Sequence, residues 1–541
     1  MIPDLAAHPL VTRHAWLIRI ALSLLAGAAA ALAHPPFGFL PGLLGYGLLM
    51  LLAERTPRVR GAFLVGWLAG FTYFLIGCWW VAEAFLVNQE QAWMAPFAAS
   101  LLPALLAFFW AGACAVYRRM AMPGLFRALV FASLFCAFEQ LRGWILTGLP
   151  WNPAGASWAA GSAMSQFAAI GGVYGLSLVT VAAMAMIATL AGPGARKARI
   201  GMAAGGVLLL AAVAAYGAIR LAQPEPISTR TVVRIVQADV EQEAKWTPEN
   251  FQEIVRRYLN LTSRPGAAVP DVIVWPEGAL PTTANDAFAP GSPIAAGITG
   301  ALKPGQTLLA GLSRGELGPD GEARYYNSLF ALHAEPAGVR VVDIYDKYRL
   351  VPFGEFLPLG DLMGAIGVRS LVHVPADFSA GPRPAPLRLP GGLPDVQPLI
   401  CYESLYPGFT PGGRGRPQWI ANVSNDAWFG RTSGPLQHLN LASYRAIETG
   451  LPVVRATPTG VSALIGPRGG VINGYRLDPG ESGVIDARLP APLPPTVYGW
   501  VGDWPGRVLI LLILGVALLW RRRERLSRNS LDSTPGDGPQ R

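Results

Sequence analysis

The chain has 541 residues, of which 52% are hydrophobic and only 14% charged, with a net charge of +9. That composition excludes an ordinary soluble protein. The excess of Lys and Arg sits in loops between apolar runs, so it is a signal of topology and gives no support to nucleic-acid binding.

Apolar residues gather into runs near the ~20 residues that cross a hydrocarbon core. Seven precede Gln223, at about Trp16 to Ala33, Phe37 to Ala53, Ala62 to Phe85, Ala92 to Val116, Leu125 to Ile145, Phe167 to Leu190 and Ile200 to Ala222. An eighth, Val508 to Trp520, is short and needs its flanks to reach the interface. Several are rich in Gly and Ala, as closely packed membrane helices are. Arg55, Arg58 and Arg60 follow the second run, Arg118, Arg119 and Arg127 the fourth, Arg196, Lys197 and Arg199 the sixth, and "RRRERLSR" the eighth. With Arg13 and Arg19 at the start, this alternation predicts both termini in the cytoplasm and the segment from Pro224 to Asp503 outside. The first run ends in "AAALAHPP", which also has the form of a secretory cleavage site, and the charge pattern does not decide between a cleaved and a retained first helix. Trp79, Trp80 and Trp151 are expected as interfacial anchors, and Glu139 with Arg142, three residues apart, as a mutually neutralised pair.

Between Thr231 and Leu489 the pattern changes to short apolar runs broken by Gly, Pro and Asp: "TVVRIVQADV", "DVIVWPEG", "TLLAGL", "YYNSLFAL", "VQPLICYE", "QWIANVSND" and "PVVRATPTGVSALI". These have the length and content of buried strands. Between the first two, "TPENFQEIVRRYLNLTSR" predicts a helix with Thr247 as N-cap, Pro248 at its first position and Phe251, Ile254, Tyr258 and Leu261 on one face. Strands alternating with helices predict an α/β sandwich. The tail beyond Arg528 is polar and expected to be disordered.

Three ionisable residues follow strands, where reactive groups collect in open α/β sheets: Glu277, Lys347 and Cys401. Cys78, Cys114 and Cys136 fall in membrane runs and are expected as small apolar fillers, whereas Cys401 is alone in the external segment and has no disulfide partner there. It is either buried and inert or a reactive thiol. The surrounding segments, "VWPEGALP", "YDKYRLVPFGEFLP" and "ICYESLYP", resemble in this order the Glu, Lys and Cys segments of the nitrilase superfamily. Together with "NVSNDAWFG" and the eight membrane runs, "DKYRLVPFGEFLP" resembles the apolipoprotein N-acyltransferase family, and the resemblance covers nearly the whole chain.

That resemblance implies an eight-helix transmembrane bundle joined to an extracytoplasmic nitrilase-like α/β sandwich, with the first helix retained. The expected division is residues 1–222 for seven helices, 223–503 for the catalytic domain, 504–522 for the eighth helix and 523–541 for a basic, polar tail. It implies Glu277 as general base, Lys347 as the cation facing the acyl oxyanion and Cys401 as nucleophile. Glu355 orients the lysine, the backbone N–H of Tyr402 is a second oxyanion donor, Glu403 bonds locally beside the nucleophile and Trp246 stands near the entrance. A cation beside Cys401 is also expected to depress the thiol's pKa from its ordinary ~8.5. The implied reaction moves an acyl chain from a phospholipid through a cysteine thioester to the N-terminal amine of a diacylglyceryl apolipoprotein, in the bacterial inner membrane, by a monomer, with no metal or organic cofactor. "FGEFLPLGDLMGAIGVRSLVH", Phe353 to His373, is expected as a lipid-touching lid. The alternatives are a Cys401–His438 dyad, a membrane-tethered amidase and a transporter whose external domain only binds.

Overall fold

The computed structural model describes residues 15–120, 122, 124–357, 360, 377–413 and 415–532. Most of the expected lid, residues 358–359 and 361–373, lies outside the described residues, as does the end of the polar tail from residue 533.

The N-terminal apolar runs are helical: α1 (Ala15–Leu32), α2 (Leu44–Glu54), α3 (Val59–Cys78), α4 (Ala95–Met120), α5 (Leu125–Arg142), α6 (Ala168–Ala188) and α7 (Arg196–Leu221). Small residues let them approach closely. A Cβ on Gly27 of α1 would collide with the Ala69 carbonyl of α3. Among the described residues, six helical stretches are long and apolar enough to cross a membrane, including the one from Trp504 to Glu524. Of the other expected spans, α2 is short, and α5 carries Arg127, Glu139 and Arg142 within its 18 residues.

The segment between Ser228 and Pro490 forms two sheets. The first has the order β11-β1-β2-β3-β4-β5, built from β1 (Ser228–Gln237), β2 (Val272–Val274), β3 (Thr307–Leu317), β4 (Ala323–Glu335), β5 (Gly338–Asp346) and β11 (Gly483–Pro490). The second has the order β10-β9-β8-β7-β6, built from β6 (Val396–Ile400), β7 (Trp419–Val423), β8 (Val453–Ala456), β9 (Ser462–Ile465) and β10 (Val471–Leu477). The first is parallel at its centre, β1-β2-β3, and the second is parallel from its middle strand to its β6 edge, β6-β7-β8. Val233, Val274, Leu309 and Leu329 of the first sheet pack against Val396, Trp419, Ala421 and Val454 of the second. The outer faces carry helices. The first is covered by α8 (Phe251–Ser263) and α9 (Pro293–Ala301), with Ile254, Tyr258 and Ile298 packed on Ile273 and Leu308. The second is covered by α10 (Gly434–Thr449), with Leu439 and Ala446 on Ile420 and Val453. The α/β sandwich read from the sequence is therefore present as helix, sheet, sheet, helix.

Several local expectations change. "PVVRATPTGVSALI" is two strands, β8 and β9, paired antiparallel across the turn at Thr457–Val461. The helix after Thr247 opens with a 3-10 turn at Pro248–Asn250, and the Thr247 side chain caps nothing. Trp80 and Trp151 are buried and pack on each other and on Phe429, so they join the two halves of the protein instead of facing lipid headgroups. Glu139 and Arg142 make no ion pair. Glu139 accepts from the Ala154 N–H at 2.8 Å and Arg142 donates to the Leu149 and Trp151 carbonyls, so both hold the loop that follows α5.

That loop and α10 form the seam between the halves. Tyr444 donates to the Gly155 and Trp158 carbonyls, Asn440 to the Ala156 carbonyl, and Glu448 accepts from the Val173 N–H at the Gly172 kink of α6, where φ is +67°. The final helix, α11 (Trp504–Asp532), returns alongside α5.

Candidate active site

The site lies where the two sheets deliver their carboxyl ends to one place. Glu277 follows β2, Lys347 follows β5, and Cys401 follows β6 at the start of a 3-10 turn, Cys401–Leu405. Cys401 has φ of +48°, a conformation that disfavours a side chain and that persists only where the surroundings impose it. Here Glu403 imposes it. Its Oε2 accepts from the Ile400 N–H at 2.8 Å, and its Oε1 accepts from Tyr345 Oη at 2.6 Å and from the N–H groups of Tyr348 and Arg349 at 2.9 and 3.2 Å. One buried carboxylate thus ties the nucleophile's turn to the loop that carries Lys347. Burial pushes its pKa up to about 6 despite these donors.

Lys347 is 1% exposed. Its Nζ lies 2.9 Å from Glu355 Oε1 and 3.4 Å from Glu277 Oε1. Burial alone would lower its pKa, but the two carboxylates outweigh burial and the ammonium is held above the ordinary lysine range. Asn327, on β4, donates to both carboxylates through Nδ2, at 2.7 Å to Glu277 and 2.8 Å to Glu355, and its carbonyl accepts from the Lys347 N–H. Glu355 Oε2 accepts from the Val351 N–H. Every oxygen of Glu355 is occupied. Glu277 differs: its Oε2 is buried and has no partner.

The thiol of Cys401 faces Ser424 and the Asn425 backbone. Burial is the largest influence on it, the Glu277 charge acts in the same sense, and together they outrun Lys347, so its pKa is pushed up to about 12. This corrects the expectation of a depressed thiol. Lys347 does favour the thiolate, but it acts against a stronger opposing field.

His438 lies beneath the nucleophile without serving it. Its Nε2 is 3.1 Å from Ser404 Oγ and 3.3 Å from the Cys401 carbonyl oxygen, and its Nδ1 is 3.0 Å from Asp426. Burial and Arg455 lower its pKa. Asp426 also accepts both Arg455 Nη2 contacts at 2.8 Å, and the Arg455 and His438 charges bring it down to about 2 against the opposing effect of burial. A Cys–His dyad does not fit this geometry, because the ring meets a carbonyl and not the sulfur. Trp246 also stays outside the cluster. It is 61% exposed, with Lys245 Nζ 5.2 Å from its ring, while that ammonium donates to the Gly278 carbonyl. Tyr402 is buried and its hydroxyl donates to the Gly148 carbonyl of the membrane half.

Sequence reasoning missed Asn327 and the Asp426–Arg455 network. The signal for Asn327 was a lone amide inside the apolar "YYNSLFAL". No group of His, Cys, Asp or Glu among the described residues is arranged to hold a metal ion.

A glutamate, a lysine and a cysteine at the strand ends of a two-sheet sandwich define a carbon–nitrogen hydrolase domain, here joined to an apolar helical half. Residues 232–493 match the family Carbon-nitrogen hydrolase, and residues 26–186 match Apolipoprotein N-acyltransferase N-terminal domain. A protein of Caulobacter vibrioides named apolipoprotein N-acyltransferase is 51% identical over 502 residues, covering 91% of this chain and 93% of that one. One of Allorhizobium ampelinum with the same name is 40% identical, covering 85% and 88%. The chain belongs to the apolipoprotein N-acyltransferase family. Among solved structures, an amidase of the nitrilase superfamily from Nesterenkonia AN1 is 18% identical, with a TM-score of 0.34, covering 51% of this chain and 95% of that chain.

Proposed function

We propose that the protein transfers an acyl chain from a phospholipid to the N-terminal amine of diacylglyceryl-cysteine apolipoproteins through a thioester on Cys401. All eight apolar runs cross the inner membrane in this account. Residues 223–503 stand on the periplasmic side, as the alternation of Lys and Arg favours. A soluble hydrolase has no use for such a membrane half, whereas a lipid donor requires the thiol to be held at the bilayer. The seam through Tyr402, Tyr444 and Glu448 is suited to that.

The observation that carries the chemistry is the unpartnered Oε2 of Glu277. A thiol with a pKa of about 12 is protonated at neutral pH and needs a base at the moment of attack. Glu277 takes that proton through its free oxygen while its other oxygen is held by Asn327 and Lys347. The sulfur attacks the donor's ester carbonyl, and the oxyanion is met by Lys347 and by the Tyr402 N–H at the start of the 3-10 turn, where N–H groups have no helical partner. The ester C–O bond breaks, the proton on Glu277 passes to the departing alkoxide, and lysophospholipid leaves. In the second half, the acceptor amine loses a proton to Glu277 and attacks the thioester. The C–S bond breaks, the amide forms, and the proton returns to the thiolate. Glu355, with no free oxygen, positions Lys347, and Glu403 fixes the distance between the two strand ends.

The test supplies phospholipid carrying a labelled chain, with and without a synthetic diacylglyceryl-cysteine peptide. The expected result is labelled peptide and lysophospholipid in equal amounts, with little free fatty acid when the peptide is absent. Sustained release of free fatty acid without acceptor would instead identify a hydrolase.

A further inference from the structure

Beside the site, at the edge nearest the membrane helices, two arginines stand on a pair of stacked rings. The guanidinium of Arg349 lies 4.9 Å from the Tyr406 ring centre and that of Arg383 lies 5.8 Å from Phe409, while the two rings stack at 5.7 Å. Neither arginine has a carboxylate partner among the described residues. Arg349 is half-buried and Arg383 exposed, whereas Arg234, Arg314 and Arg455, which are withdrawn from solvent, each meet a carboxylate. Arg349 Nε is buried with no hydrogen-bond partner, and Arg383 donates to a neutral carbonyl, that of Gly408. A buried guanidinium donor without an acceptor costs stability unless something else supplies the acceptor.

The surroundings indicate what supplies it. The Arg349 guanidinium also lies 5.8 Å from Trp144, at the end of α5, and the tip from Trp144 to Leu146 is apolar and exposed, Trp144 by 63%. The tip is anchored to the nucleophile's own turn, because Tyr406 donates to the Thr147 and Gly148 carbonyls. Leu146 and Thr147 both have positive φ, 52° and 72°. Exposed Trp504 begins the last membrane helix, and Arg507 stands 5.9 Å from both Trp144 and Trp504, as an aromatic and basic belt at headgroup level does. A planar fork above aromatic rings, with no carboxylate partner among the described residues and a buried Nε left free, matches a tetrahedral phosphate diester at that level and two residues from Lys347.

We infer that Arg349 and Arg383, on the Tyr406–Phe409 platform, bind the phosphodiester of the glycerophospholipid acyl donor and so align its ester with Cys401. This rests on the acyl-transfer reaction proposed above and adds the residues that recognise the donor. Arg349 holds the anion from the buried side and Arg383 closes on it from the exposed side.

The experiment measures Cys401 adduct formation by intact mass with two donors, phosphatidylglycerol in mixed micelles and a p-nitrophenyl acyl ester that has no phosphate. For Arg349→Gln the ratio of kcat/KM, phospholipid over phosphate-free ester, is expected to fall about 10- to 100-fold, carried mainly by KM, which is the range for losing a charge-assisted hydrogen bond. Arg349→Lys should recover part of the ratio but not all, since the fork is lost. Arg383→Gln, at an exposed position, should lower the ratio by about 3- to 10-fold. A second arm adds inorganic phosphate. Inhibition of the wild type that is weakened in Arg349→Gln would show a site open to the free anion, and no inhibition alongside a fallen ratio would show one that takes the diester only within a lipid. An unchanged ratio in both Gln variants would overturn the inference alone. No adduct from either donor in the wild type would overturn the reaction on which it rests.

Discussion

The two sheets bring opposite kinds of polar cluster to the same place. At the end of the first, Glu277, Lys347, Glu355 and Asn327 form a charged group in which one atom, Glu277 Oε2, is left without a partner. Beneath the end of the second, Asp426, Arg455 and His438 form a network in which Asp426 Oδ1 alone meets Ser424, His438 and Arg455, and His438 reaches Ser404 and the Cys401 carbonyl. In the second cluster both Asp426 oxygens are occupied and the unpartnered atom is a guanidinium donor, Arg455 Nε, whereas in the first it is a carboxylate oxygen, the kind of atom that can take up a proton. The first cluster should therefore govern rate and the second stability.

The largest effect expected is on Glu277→Gln, which keeps shape and hydrogen bonding but cannot accept the thiol proton. Acylation of Cys401 should slow by about 10² to 10⁴, the usual contribution of a positioned base, while the melting temperature stays near that of the wild type. Asp426→Asn should invert that pattern. It leaves Arg455, which is fully buried, short of its counter-charge, and the loss should approach the roughly 3 to 5 kcal/mol typical of a broken buried pair, visible as a lowered midpoint of thermal unfolding in detergent. Lys347→Ala should slow both half-reactions by about 10² to 10³, and Lys347→Arg should not rescue them. Slow acylation with normal discharge would limit the lysine to activating the thiol. His438→Gln, which retains a donor and an acceptor, should change the acylation rate by less than about threefold. A loss of about 10² there would return the dyad to consideration and break the contrast between the sheets.

The pH dependence sharpens the same contrast. With Cys401 pushed up to about 12, the thiolate fraction rises about tenfold per pH unit throughout the neutral and mildly alkaline range, with no plateau there. Alkylation of the resting enzyme by iodoacetamide should be slow and should climb with that slope between pH 7 and about 9.5. A plateau near pH 8 would mean that Lys347 wins over burial and Glu277.

The strands that place Glu277 and Cys401 were legible as short apolar runs, that before Lys347 as a β-branched run ending in Asp346, and the surrounding motifs marked which charges matter. What stayed hidden was covered on every side. Nearly all of α10 is buried between the second sheet and the membrane half, so it shows no amphipathic stripe, and its Gln437, Asn440 and Glu448 look like surface residues until their partners on the far side of the seam are known. Trp80 and Trp151 misled for the same reason, since an aromatic near a helix end has one sequence pattern whether it meets headgroups or another domain. The edge strand β10 alternates polar and apolar residues weakly, and β11, where Ile485, Ala487 and Leu489 alternate with Asp486 and Arg488, returns to β1 across most of the domain's length, a pairing that no local pattern announces. The expected depression of the Cys401 thiol failed because the sequence shows the nearby cation but not the depth of burial.

The most direct test of the covalent account is the intact mass of wild-type protein after incubation with a phospholipid of defined chains and no acceptor. The account predicts a gain of one acyl group, located on Cys401, removed by neutral hydroxylamine and discharged when diacylglyceryl peptide is added. An unmodified mass in protein that nevertheless acylates the peptide would contradict it, because the chain would then pass from donor to acceptor without resting on the cysteine.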